Sequence, residues 1–198
     1  MGTIVVFENV SLDGATQDPT GEEGFSRDDW RAGLAPTDRE EWAKLVLDDA
    51  LAAQALLLGR RSYEFFAARY PHRTGELADR MNSLPKYVVS ATLADPGWNN
   101  STVLKGEIGD EVSKLKHTVN GEIRVYASSQ LVQTLIEHDL VDELRLAIFP
   151  LMMGAGNRLF DQTGNPQPLR PKPLRLVDTR TVGESLAVIT YQCIRQAE

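Results

Sequence analysis

The sequence predicts an α/β fold in which a mostly parallel central sheet carries helices on both faces and ends in an antiparallel hairpin. Short β-branched or aromatic runs alternate with segments of helical periodicity along most of the 198 residues, and this alternation is typical of βαβ units. The last two apolar runs follow each other with no helical segment between them, which indicates an antiparallel pair. A domain usually takes roughly 100–200 residues, so we expect a single domain over residues 1–198.

The predicted strands are the short apolar runs. The run at residues 55–58 has no polar position and ends in Gly59, as expected of a strand that is buried on both faces. The complete set of predicted strands covers residues 4–10, 55–58, 86–90, 123–127, 144–149, 174–178 and 186–194.

Helical spacing of apolar residues predicts helices over 37–53, 62–68, 76–83, 110–119 and 131–136. Thr37 with Glu40 fits a capping box, so the first helix is predicted to begin at Thr37. Ser128 or Ser129 is expected to cap the last helix. Residues 11–36 and 161–173 lack any period and are predicted loops, the second because it contains four prolines. A loop as long as the first is often a lid or a binding loop.

Charge and composition exclude several classes of protein. The net charge of −7 disfavours binding to nucleic acid, which needs a basic face. The apolar run near the N-terminus is too short for a signal peptide, and no stretch approaches the roughly 20 apolar residues of a membrane span. The single cysteine, Cys193, fits a reducing compartment. We therefore expect a cytoplasmic protein. His72, His117 and His138 lack metal-ligand spacing, so no metal is expected.

Ligands of parallel sheets bind where strands end and helices begin, and three such junctions stand out. Gly59 is followed by Arg60, Arg61 and Ser62; a glycine permits close approach, and a helix start with guanidinium groups favours phosphate. The spacing also fits a plain turn with solvated arginines. Ser90 follows the third predicted strand and could bind phosphate or only form a turn. The third junction fits either pyrophosphate binding or ordinary capping; it contains Ala127, Ser128, Ser129, Gln130 and Leu131.

Three motifs in order along the chain resemble the RibD C-terminal domain family, which has a dihydrofolate reductase-like fold. Ser-Leu-Asp-Gly at 11–14 resembles the signature after the first strand. Gly-Arg-Arg-Ser-Tyr at 59–63 resembles the Gly-Arg-x-Thr/Ser-aromatic motif of dihydrofolate reductases. Leu-Val-Asp-Glu-Leu at 140–144, followed by Pro150, Gly154, Gly156 and Leu-Phe at 159–160, is similar to the most specific pattern of the family.

The resemblance implies an activity, a cofactor and a site. It implies NADPH as hydride donor and a pterin- or pyrimidine-like substrate, as in 5-amino-6-(5-phosphoribosylamino)uracil reductase of riboflavin biosynthesis and in dihydrofolate reductase. Residues 59–62 and Ser90 would face the cofactor phosphates, residues 127–131 the pyrophosphate or nicotinamide side, and Arg60, Arg61 and Ser90 the 2′-phosphate. The family usually has glycines where this chain has Ala127-Ser128-Ser129, and a methyl group there would crowd a pyrophosphate, especially at positive φ.

Asp13 and Asp38 are the candidate catalytic carboxyl groups, since a carboxyl group beside the acceptor can raise its basicity or relay a proton. Asp38 lies in a Pro-x-Asp…Trp pattern that resembles dihydrofolate reductases, but it also fits a helix N-terminal charge. Asp13 also fits a turn-forming Asp-Gly pair. Trp30 and Phe7 are the candidate substrate contacts. Trp30 would act as a lid, or else would pin its loop to the core.

Two alternatives remain open for the function: a non-catalytic nucleotide- or flavin-binding protein on the same fold, and a subunit whose main role is assembly. The resemblance also implies a homodimer that pairs through C-terminal strands, with residues 186–194 as the exposed edge.

Overall fold

The computed structural model describes residues 1–25, 29–160 and 171–194. Most of the predicted proline-rich loop, residues 161–170, lies outside the described residues. The strands are β1 (Thr3–Ser11), β2 (Ala53–Gly59), β3 (Lys86–Val89), β4 (Ser101–Leu104), β5 (Glu122–Tyr126), β6 (Glu143–Phe149), β7 (Leu174–Val182) and β8 (Leu186–Cys193). The helices are α1 (Pro36–Ala52), α2 (Arg60–Ala67), α3 (Glu76–Ser83), α4 (Ile108–Thr118) and α5 (Ser129–Glu137), with short 3-10 helices at Trp30–Gly33 and Tyr70–His72.

The described strands form one eight-stranded sheet in the order β4-β3-β2-β5-β1-β6-β8-β7. The strands from β4 to β6 are parallel, whereas β8 runs antiparallel to β6 and β7 antiparallel to β8. This topology confirms the predicted mostly parallel sheet with a C-terminal antiparallel hairpin.

Both faces of the sheet are covered, and this explains why the run at residues 55–58 of β2 has no polar position. Leu57 packs into the cluster formed with α4 and α5, whereas Leu56 and Leu58 pack into the cluster formed with α1 and α3. Alternate side chains of a strand point to opposite faces, so a strand with helices on both sides needs an apolar residue at every position. The prediction that this strand is buried on both faces is confirmed.

The family motif at 140–144 belongs to the scaffold. The Asp142 carboxylate accepts a hydrogen bond from Ile4 N at 2.8 Å and forms an ion pair with Lys116. Lys116 also donates to the Leu140 carbonyl at 3.1 Å. One carboxylate thus joins α4 to β1 and to the start of β6.

Two predictions about local structure are wrong, and one strand was missed. The first helix begins at Pro36 with Ala35 as N-cap and no capping side chain, because proline suits the first helical position better than Thr37 does. Strand β4 was not predicted, because it has only four residues and they alternate little between polar and apolar types. Finally, β8 lies between β6 and β7, so residues 186–194 are not an edge of the sheet; β7 is.

Candidate functional site

The three strand-to-helix junctions meet at one edge of the sheet, because β3, β2 and β5 are neighbours. Gly59 N donates to Ser128 Oγ at 3.1 Å, and Ser128 Oγ donates to the Tyr126 carbonyl at 3.1 Å. The Arg60 guanidinium group contacts the Thr92 hydroxyl in the turn after β3. The structure therefore brings the predicted residues of all three junctions together.

At the first junction, α2 begins at Arg60 and Gly59 is its N-cap. Gly59 has φ of −72°, and a side chain placed there would meet its nearest atoms only at 3.7 Å. Neither backbone conformation nor internal packing therefore requires glycine at this position; close approach of a ligand remains a reason for it. Arg60 and Arg61 are exposed, Arg60 pairs with Glu64 at 2.7 Å, and Ser62 is half-buried.

At the second junction, Ser90 is buried and builds its own turn. Its Oγ accepts hydrogen bonds from Leu93 N at 3.0 Å and Thr92 N at 3.3 Å. These bonds are what the turn interpretation predicts. The exposed hydroxyl group at this junction is that of Thr92, a residue the sequence analysis did not single out because it lies beyond the strand end.

At the third junction, Ala127 and Ser128 both adopt the left-handed conformation, with φ of 51° and 66°. Ser128 occupies the predicted N-cap position of α5, but its side chain makes no capping hydrogen bond, since its Oγ serves Gly59 and Tyr126 instead. Ala127 and Gln130 are exposed and Ser129 is half-buried. Leu131 packs in the core with α4, so its side chain is structural.

The donor groups at this edge fit the phosphates of a dinucleotide. The first amides of α5 have no side-chain cap, and a helix N-terminus with free amides attracts anions. Two exposed guanidinium groups lie at the neighbouring helix start. Two features oppose a close fit: the Ala127 methyl group at a left-handed position, and the use of the Gly59 amide by Ser128.

Asp13 connects the motif at residues 11–14 to the segment around Gly154 through a set of hydrogen bonds, here called the Asp13 clasp. Its carboxylate accepts hydrogen bonds from Ser11 Oγ at 2.6 Å, Met153 N at 3.0 Å and Gly154 N at 2.8 Å. These bonds, with that of Ser11 first, lower the pKa of Asp13 well below its usual range. The loop after β1 is thereby fixed to the loop after β6, and the Asp13 carboxylate is ionised at neutral pH.

Asp38 holds the turn between β7 and β8 against α1. It is 2% exposed, and its carboxylate accepts hydrogen bonds from the Ser185 hydroxyl and from Glu184 N at 2.7 Å. These two bonds lower the pKa of Asp38. A side chain at Gly183 would collide with Asp38, so the turn is fitted closely around the carboxylate.

Trp30 and Phe7, the predicted substrate contacts, lie in the core cluster under α1. Trp30 packs edge-on against Phe149 with ring centroids 5.6 Å apart, and its backbone N donates to the Pro19 carbonyl at 3.1 Å. Trp30 thus pins its loop to the core. Phe7 packs edge-on against Tyr126.

Phe7 also lines a cavity of about 360 Å³ between α1 and the hairpin. Its polar wall contains Asp49 and Arg145, whose side chains pair at 2.9 Å. Asp49 lies in the last turns of α1, which leads directly into the start of β2, so the cavity lies toward the amino ends of the strands. It is therefore separate from the three junctions.

Residues 12–25, in the loop after β1, make contacts on both sides of the sheet edge at which the three junctions meet. Thr16 N donates to the Asn157 carbonyl at 2.9 Å. Further along, Glu22 pairs with Arg69 at 2.6 Å and with Arg73 at 2.8 Å, beyond α2. The segment thus runs from the loop after β6 to the end of α2.

Glu8 is a functional candidate that the sequence analysis missed. It is 5% exposed, and within the described part of the chain its Oε1 has no hydrogen-bond partner. Burial raises the pKa of Glu8 to about 8. The available signal was an acidic residue inside the apolar run at 4–10.

Neither a metal site nor a membrane-spanning helix is found among the described residues. No group of three or more His, Cys, Asp or Glu side chains among them could hold a metal ion. None of their helices is long and apolar enough to cross a membrane.

Comparison with known proteins decides the family. The model of the RibD C-terminal domain matches residues 2–188. The chain belongs to the RibD C-terminal domain family. A sequence relative of this RibD C-terminal domain is the uncharacterized protein YyaP of Bacillus subtilis (strain 168), which is 32% identical over 141 residues, 69% of this chain and 72% of YyaP.

Solved structures share the fold of this RibD C-terminal domain. A putative riboflavin biosynthesis protein from Shewanella sp. PV-4 matches with a TM-score of 0.73 at 21% identity, over 98% of this chain and 99% of that chain. A pyrimidine reductase-like protein from Corynebacterium diphtheriae matches with a TM-score of 0.66 at 12% identity, over 98% and 92%. RibD of Acinetobacter baumannii matches with a TM-score of 0.60 at 12% identity, over 98% of this chain but 58% of that one.

Proposed function

We propose that this RibD C-terminal domain is an NADPH-dependent reductase that transfers hydride to a C=N or similar bond of a pterin- or pyrimidine-like compound. The supporting observation is that three strand-to-helix junctions meet at one edge of the sheet, with an uncapped helix N-terminus and exposed guanidinium groups. Membership of the family supports the reductase class.

In this proposal each junction has a separate task. The start of α5, with Ser129 and Gln130, holds the pyrophosphate, and the start of α2 with Arg61 and Ser62 holds further phosphate oxygens. Arg60, placed beside Thr92 and close to the Ser90 turn, selects the 2′-phosphate of NADPH. The bound cofactor supplies the hydride, and the protein supplies binding and orientation.

The two candidate carboxylates act through their negative charge. Because hydrogen bonds lower the pKa of both Asp13 and Asp38, neither carries a proton to donate at neutral pH. We assign Asp13 to raising the basicity of the acceptor and to fixing the edge of the site. Asp38 fixes the hairpin turn beside it. Trp30 would contact substrate only through displacement of this core packing, whereas Phe7 faces the cavity between α1 and the hairpin, which is separate from the three junctions.

The test measures the binding of NADPH and of NADH to the protein, with cofactor fluorescence as the signal. Turnover is assayed separately with dihydrofolate and with a diaminouracil compound as substrates. We expect Arg60→Ala to weaken NADPH binding about tenfold, which corresponds to about 1.4 kcal/mol, and to leave NADH binding little changed. Arg39→Ala, which removes an exposed arginine of α1, is the matched control. Absence of NADPH binding at millimolar cofactor contradicts the proposal.

A second candidate is a non-catalytic nucleotide- or flavin-binding protein. The observation that favours it is the pair of left-handed non-glycine residues, Ala127 and Ser128, at the turn that would touch pyrophosphate. Binding of NADPH without turnover of either substrate would support this candidate over the reductase.

We also propose a cytoplasmic homodimer. Among the described strands, β7 lies at one end of the sheet and carries Leu176 and Val177, which are 53% and 55% exposed. An unpaired apolar edge is a template for a second strand, and a second copy of this chain would cover it.

A further inference from the structure

Glu8 lies under the turn that begins α5. Strands β1 and β5 pair in parallel as far as Phe7 and Tyr126, so the next residues, Glu8 and Ala127, are level with each other. The left-handed turn and the first amides of α5 follow directly after Ala127.

The Glu8 side chain lies on the face of the sheet that α4 and α5 cover. Val6, two residues earlier and on the same side of β1, packs in the cluster that contains Val132 and Leu135 of α5. Phe7, on the opposite side, packs under α1. The carboxyl group is therefore enclosed between the central strand and the helix whose N-terminus is the proposed anion site.

Within the described part of the chain, no ion pair includes the Glu8 carboxyl group, and its Oε1 has no hydrogen-bond partner. Lys116 of α4 pairs with Asp142 beside Ile4, nearer the start of β1, and Glu137 lies in the last turn of α5. The charged residues of β5 and β6 lie on the opposite face with Asp49; they are Glu122, Arg124, Glu143 and Arg145. Burial is the sole cause of the raised pKa of Glu8.

The charge of Glu8 and an anion bound at α5 must influence each other. A neutral carboxyl group leaves the positive field of the helix N-terminus intact. An ionised carboxylate would place a negative charge below that N-terminus, in surroundings where charges are poorly screened. Ionisation of Glu8 and binding of an anion above it therefore oppose each other.

We propose that Glu8 is a positioning residue for the cofactor site: its protonated carboxyl group permits the diphosphate to bind at the α5 N-terminus, and its carboxylate repels that diphosphate. This inference rests on the proposed function. Binding to the ionised protein then requires uptake of one proton from solvent, which forms the O–H bond of Glu8. The coupling is reciprocal, so bound cofactor raises the proton affinity of Glu8.

The experiment measures NADPH affinity from pH 7 to 9.5 for the wild type, Glu8→Gln and Glu137→Gln. The second ionisation of phosphate monoesters has its midpoint at pH ~6, so these groups are mostly dianionic throughout this range. We expect wild-type affinity to fall about tenfold over the range, as a repulsion across roughly 10 Å predicts. We expect Glu8→Gln to show a flat profile and to match the wild type at pH 7. Glu137→Gln should follow the wild type.

Calorimetry in buffers of different ionisation enthalpy supplies a second readout. Wild type should take up roughly half a proton per bound NADPH near pH 8.5, which is the fraction that a tenfold coupling to Glu8 produces, and Glu8→Gln should take up none. Thermal melts at each pH restrict the comparison to folded protein. If the wild type and Glu8→Gln bind NADPH with the same pH profile and the same proton uptake, the role of Glu8 is overturned and the proposed function stands. If no variant binds NADPH at any pH, both are overturned.

Discussion

Ala127 and Ser128 adopt a backbone conformation that glycine adopts more readily. A left-handed residue with a side chain costs roughly 1–2 kcal/mol relative to its right-handed form. Ser128 recovers part of this cost through the two hydrogen bonds of its hydroxyl group. Ala127 has no such compensation, so its methyl group is a candidate for removal.

Ala127→Gly is expected to raise the free energy of unfolding by up to about 1 kcal/mol, because relief of strain exceeds the added flexibility of the unfolded chain. Denaturation in urea measures it. Ala43→Gly, at an exposed position inside α1, should instead lower stability by roughly 1 kcal/mol. A loss of stability in both variants would show that Ala127 is not strained.

Glu8 gives the protein a specific dependence of stability on pH. Its pKa is about 8 in the folded protein against 4.5 as the ordinary value, so the folded state holds a proton that the unfolded state releases. Stability from this group is therefore present below pH 4.5 and is lost as pH rises toward 8.

Relative to Glu8→Gln, wild type should lose at most about 5 kcal/mol of unfolding free energy between pH 4.5 and 8. Chemical denaturation at several pH values measures the difference between the two proteins, in which the other titrating groups cancel. A difference that stays constant with pH would mean that Glu8 titrates normally.

Among the elements, α4, β1 and β6 depend on the Asp142 carboxylate. Asp142→Ala should destabilise the protein by about 3 kcal/mol, because it leaves the buried Lys116 ammonium group without its charge partner and Ile4 N without its acceptor. The double variant Asp142→Ala with Lys116→Met should regain part of that loss. Urea denaturation of the single and double variants measures it; equal stabilities for the wild type and Asp142→Ala would contradict the prediction.

The sequence predicts element positions where burial decides them, and prediction fails where two local signals compete or where tertiary contacts decide. The apolar run of β2 predicts its strand because both faces of that strand are covered. The start of α1 was predicted wrongly because two local signals compete there and Pro36 prevails. The bond between Ser128 and Gly59 could not be predicted, since it joins residues 69 positions apart through a backbone conformation that local sequence disfavours.

At the scale of the whole molecule, the exposed edge strand β7 predicts self-association. Val177→Lys should convert the proposed dimer to a monomer, because a charge on each copy would have to be buried opposite its partner. Light scattering after size-exclusion chromatography measures the mass. Leu51→Lys, at an exposed apolar position on α1, should leave the mass unchanged. A monomeric wild type would contradict the assignment of this edge.

The clasp made by Asp13 joins residues about 140 positions apart in sequence. Contacts between residues so far apart in sequence form late in folding, because closing a long loop costs entropy before the contact contributes any stabilising free energy. During synthesis, a chain that has emerged only through α5 contains all three junctions yet lacks the loop after β6 that fixes their border. The edge at which the three junctions meet is consequently fixed only after the loop that follows β6 has been synthesised.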